Sequence, residues 1–112
     1  AYHSDGGAGA SNRYLTSYDQ AQGTAYQYMT NAIGNDNDQN LSGSMYFFNP
    51  SSTTFVKHFM HTISTYTGDD YSENQFGAGY VNTTSAIDEI QFKINSGNFD
   101  AGKIKLYGIK DS

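Results

Sequence analysis

Two short stretches hold most of the side chains that could do chemistry on a partner. Asn35, Asp36, Asn37 and Asp38 follow Gly34 in a polar run that continues to Asn40. Asp69, Asp70 and Tyr71 follow Gly68 in the most acidic stretch, Thr67 to Asn74. Amides and carboxylates bond sugar hydroxyls, and a phenol ring stacks on the apolar face of a sugar. These seven residues are therefore the candidate ligand-binding set, with Tyr71 as its aromatic member. The bland alternative is that both stretches are solvated turns, built from residues that bond their own backbone. The alternating oxygens of the first run also invite a calcium reading. With Asp36 as the first ligand of an EF-hand loop, Leu41 stands where glycine is required and Phe47 where the bidentate Glu is required, so that reading fails. A looser loop calcium site is the remaining metal option, and no other cofactor is expected.

Other reactive types are present without the company they need. His58 and His61 would point to opposite faces of a strand, which argues against a shared metal. Asp88 and Glu89 are adjacent and likewise diverge, so they are not poised as a general acid and base. There is no nucleophile elbow and no cysteine, and the glycines Gly6, Gly7 and Gly9 lack the flanking pattern of a phosphate loop. The chain is expected not to be an enzyme.

Composition narrows the setting. The 112 residues suit one domain, and without cysteine its stability must come from burial and backbone pairing. Aromatic and charged residues each make up 15% of the chain, a polar but weakly charged surface that suits an extracellular or virion location. A net charge of −5 with only 6 basic residues argues against nucleic acid. No apolar run is long enough for a membrane span, so membrane insertion is not expected.

The elements that would position the candidate loops read as strands. Ile90, Phe92 and Ile94, and later Ile104 and Leu106, alternate with polar residues at a period of two, which predicts a hairpin around Asn95 to Gly102. Further strands are expected at Arg13 to Tyr18, Thr24 to Ile33, Leu41 to Asn49, Thr54 to Tyr66 and Gln75 to Val81. Tyr26 and Tyr28 would share one face of the second of these, as half-buried core members first of all, with a ligand-binding platform as the alternative. Gly77 and Gly79 suggest a bulge or a close backbone approach. Six or seven strands at such intervals predict an all-β, antiparallel, jelly-roll-like β-sandwich. Residues 1–12 read as a flexible arm or the end of an upstream segment, and residues 13–112 as the sandwich.

Several segments carry a resemblance: Tyr46 to Ser51, Ala78 to Ile87, Ile90 to Lys93, Ser96 to Phe99, Gly102, and Ile104-Lys105-Leu106-Tyr107-Gly108-Ile109. Together they resemble a C-terminal domain of virion structural proteins of marine tailed phages, of tail-fibre or capsid-fibre type, over about Gly23 to Ile109. The resemblance implies a non-enzymatic virion protein that forms a homo-oligomer, a trimer first of all, contacts other virion proteins and touches a host-surface glycan. Such relatives carry further strands before the position of Ala1, so a neighbouring copy or an upstream segment is expected to complete the sheet. A capsid decoration protein and a secreted carbohydrate-binding module are the alternatives.

Overall fold

The computed structural model describes the backbone of residues 2–4 and 10, and all of residues 11–110. Its centre is an antiparallel meander: β1 (Tyr2–Ser4), β2 (Ala10–Ser11), β3 (Leu41–Phe47), β4 (Lys57–Tyr66) and β5 (Tyr71–Val81) form one sheet in the order β2-β1-β5-β4-β3. The chain is thus all-β and antiparallel. Within the sheet β4 pairs without interruption from Lys57↔Val81 to Tyr66↔Ser72.

Alternation sorts the two faces of this sheet. Phe59, His61, Ile63 and Thr65 of β4 face one side, opposite Phe47, Met45, Gly43 and Leu41 of β3 and Gly79, Gly77, Gln75 and Glu73 of β5. On that side Lys57, His61, Ile63, Thr65 and Glu73 are buried. The glycines of β5 make room there for rings: a Cβ on Gly77 would lie 2.2 Å from His61 Cε1, and one on Gly79 would lie 2.8 Å from Phe59 Cζ. Gly77 and Gly79 therefore mark close approach and not a bulge, since the ladder runs through them unbroken.

The segment across this face is held by polar contacts. Arg13 Nη2 lies 2.6 Å from Glu73 Oε1, and Gln75 Nε2 donates to Glu73 Oε2 at 2.8 Å. Gln75 also bonds Asn31, and the hydroxyls of Thr30 and Thr65 meet at 2.7 Å. At the other end of β4, buried Lys57 donates through Nζ to the carbonyls of Thr83 at 3.0 Å and Ser85 at 2.7 Å. Ile63 is the buried apolar residue among the described ones, so the seam is polar where a sandwich would be oily.

Several expected strands are absent. Thr16–Tyr18 form a single 3-10 turn within the expected strand Arg13 to Tyr18. Thr24 to Ile33 stays irregular apart from an isolated bridge, Ile33↔Thr67. Tyr26 and Tyr28 are 48% and 44% exposed and so are not core members. Tyr28 stacks instead on Tyr18, with ring centroids 4.7 Å apart. The C-terminal hairpin does not form either: residues 90–94 and 103–110 have no strand partner among the described residues. Period two gives a segment the capacity to pair, but a two-stranded hairpin is marginal without a sheet to pack on, and the eight-residue connection supplies no tight turn. Within the expected N-terminal arm, Tyr2–Ser4 pairs with β5 and Ala10–Ser11 with β1, whereas residues 1 and 5–9 lie outside the described residues.

Candidate functional site: the loop pair at the β4–β5 turn

The β4–β5 hairpin closes on a three-residue loop. Asp70 N donates to Thr67 O at 3.1 Å, and Thr67 N to Tyr71 O at 2.8 Å. Asp70 takes φ 59°, the left-handed position that ends such loops and that Asp tolerates better than most residues. Thr67, only 1% exposed, fixes the loop from below, because its hydroxyl also accepts from Tyr71 N at 3.2 Å.

The other candidate loop is docked onto this turn through backbone. Ala32, at φ 53°, turns its carbonyl to accept from Gly68 N at 2.9 Å, and Asn40 O accepts from Tyr66 N at 3.0 Å. The two chains touch at glycine: a Cβ on Gly34 would lie 2.7 Å from Gly68 Cα. Between these anchors Asp36 to Gln39 forms a turn, Gln39 N donating to Asp36 O at 3.1 Å while the Gln39 side chain brackets Asp36.

The fold therefore brings both candidate loops, far apart in sequence, to one end of the sheet. Asn35, Asp36, Asn37, Asp38, Asp69 and Asp70 are exposed there, and Tyr71, the first residue of β5, is half-buried. Tyr71 is thus a strand residue beside the tip and not part of a free loop. The tip is rich in acceptors, with four Asp carboxylates and no Lys or Arg in either loop. Among the described residues no three His, Asp or Glu side chains converge on a point where a metal could sit. His58 and His61 lie on opposite faces, as their spacing requires: His58 packs beside Tyr80, whereas His61 is buried with Nδ1 unbonded and its pKa lowered by desolvation, partly offset by the Met29 backbone.

The sequence reading missed a second surface. On the outer face of the sheet Tyr46, Met60, Phe76 and Tyr80 are 54%, 49%, 75% and 55% exposed. Their alternation was legible within each strand, but which face stays open depends on where residues 13–33 cross. A cleft of about 1220 Å³ separates those crossing residues from the sheet, lined among others by Tyr14, Tyr18, Tyr28, Phe59 and Glu73.

No protein-family model, no curated protein and no solved structure matches the chain.

Proposed function

We propose that this chain is a non-enzymatic, fibre-type structural protein of a bacteriophage virion, displayed on the particle surface as a homo-oligomer, whose tip loops contact a host-surface glycan. The observation that carries the adhesion reading is the docking of the Asn35–Asp38 loop onto the Asp69–Tyr71 turn through Gly34, Gly68 and Ala32. A rigid tip with amides, carboxylates and a neighbouring phenol offers acceptors and an apolar plane to a neutral sugar, and symmetric copies would turn weak single contacts into avid binding. The virion assignment rests on the residues of the phage-like segments alone. A sandwich in the full sense requires a second layer, which neighbouring copies would supply.

The large uncovered surface also favours a decoration protein seated on a capsid shell, which needs no sugar. A glycan array probed with the intact chain separates the two. Fibre adhesion predicts a sugar class that is retained by the chain and lost at least tenfold by Asp38→Ala/Asp69→Ala, with the melting temperature unchanged. Absence of any retained sugar, together with binding to emptied capsids, would overturn the adhesion reading in favour of decoration.

A further inference from the structure

We infer that the C-terminal arm, Lys103 to Lys110, is a strand given to a second copy of this chain, where it pairs with the open edge of β3. The inference rests on the homo-oligomer reading above and names how the copies join.

Among the described residues both halves of the joint are present and neither has a strand partner. Among the described residues the sheet order gives the outer edge of β3 no neighbour, and its sequence, LSGSMYF, contains neither charge nor proline. Those are the devices by which exposed edges normally refuse partners. The arm is strand-like in pattern and fully exposed, with Ile104, Leu106, Tyr107 and Ile109 at 69%, 91%, 77% and 88%. Its eight residues suffice to span the seven of β3, and it lacks a strand partner among the described residues. Apolar side chains standing in water are a costly arrangement, and strand addition buries them while the backbone exchanges its bonds to water for a ladder.

The surface area points to a second copy as the occupant. The chain exposes 9086 Å², whereas a compact monomer of its mass exposes about 6,100 Å². The radius of gyration is 16.0 Å, against about 13 Å for a compact chain of this length. The excess, on the order of 3,000 Å², is the scale of surface that obligate partners bury. Charge fits self-association as well. Three of the six basic residues, Lys103, Lys105 and Lys110, lie in the arm, and ten of the eleven acidic residues precede it.

Geometry favours exchange over folding back. Ile87 N donates to Pro50 O at 2.9 Å, just past the end of β3, and the last side-chain anchors before the arm are Gln91 on Tyr26 and Lys93 over the Tyr26 ring. The chain then runs on without returning to its own β3. In the exchanged pair, Ile104 and Leu106 would continue the Met45 and Phe47 row on the inner face, with Lys103 and Lys105 on the open one.

Cysteine cross-linking tests this directly, because the chain has no cysteine of its own. Chains bearing Lys105→Cys, on the open face, are mixed with chains bearing Ser42→Cys, Ser44→Cys or Tyr46→Cys of the same face, then oxidised, with Asn12→Cys as the control position. Neighbouring strands bring Cα atoms within disulfide range, so at least one β3 position should form the mixed dimer more than tenfold above the control. Light scattering on Leu106→Pro, which removes a ladder donor, should show the oligomer falling to monomer mass at micromolar concentration. An oligomer that survives Leu106→Pro and cross-links no better than the control would overturn strand exchange and leave homo-oligomerisation standing. Monomer mass for the unaltered chain at every concentration would overturn both.

Discussion

Replacing Gly77 by alanine should destabilise the chain, although alanine normally improves a strand position. The new Cβ would stand 2.2 Å from His61 Cε1, 2.6 Å from Nε2 and 3.1 Å from Nδ1. Carbon atoms in favourable contact sit about 3.5–4.0 Å apart, so the imidazole has to retreat by more than ~1 Å. Its freedom to do so is limited. The ring lies almost parallel to Phe59, 10° apart at 6.5 Å, and Phe59 lies parallel to Phe47, 6° apart at 6.3 Å. Overpacking of this kind costs about 1–3 kcal/mol, and the entropic gain of alanine over glycine offsets about 0.5–1 kcal/mol of it. The net expectation is a loss of about 0.5–2 kcal/mol.

Urea unfolding followed by circular dichroism, at one fixed protein concentration, measures this loss without confusing it with assembly. The decisive comparison is a double-mutant cycle with His61→Ala. Once the ring is gone, Gly77→Ala should be neutral or stabilising, so that the two changes couple by about 1–3 kcal/mol. Equal effects of Gly77→Ala with and without the imidazole would refute the close-approach argument.

Two further outcomes follow from buried groups on the same face. Lys57→Met keeps the length of the stem but deletes the bonds to Thr83 and Ser85, and hydrogen bonds from charged donors contribute about 1.5–3 kcal/mol each. Relief of ammonium desolvation and rehydration of the two carbonyls offset part of this, so a net loss of about 1–3 kcal/mol in urea is expected, and unchanged stability would show that the clamp is idle. For His61, desolvation lowers the folded pKa below the ordinary 6.5, so the unfolded chain binds the proton first on acidification. Stability from this group is full above pH 6.5 and falls as the pH drops toward the folded value. The melting temperature should therefore fall more between pH 7.5 and 5.5 in the unaltered chain than in His61→Phe, and equal drops would contradict a neutral buried imidazole.

The sequence makes the meander legible because its strands satisfy their pattern inside the chain. Leu41 to Phe47 and Lys57 to Tyr66 stand close to where composition places them, and β5 starts at Tyr71 instead of Gln75 because the three-residue turn is shorter than the acidic run suggests. The candidate loops were legible as chemistry but their union was not: it depends on Ile33 bridging Thr67 and on two glycines meeting, which no local pattern encodes. The C-terminal hairpin failed for another reason. Alternation reports which side chains want one face, and it says nothing about which backbone will pair with them.

That failure and the thin core have one physical origin. A chain this size should bury a cluster of apolar side chains, yet here the covered face is closed by Arg13, Glu73, Gln75, Thr30 and Thr65, while Phe76, Leu106 and Ile109 stand in water. Polar seams add little net stability, since each bond replaces one to water. On the proposed homo-oligomer reading, apolar burial is found between copies, and the residues left outside are ones with strand period and β-propensity. An assembly that buries them gains stability from concentration, as obligate oligomers do, and it sets identical Asn35–Asp38 and Asp69–Tyr71 tips in fixed relation to one another. Under strand exchange the same arm would thus determine the spacing of the two candidate loops.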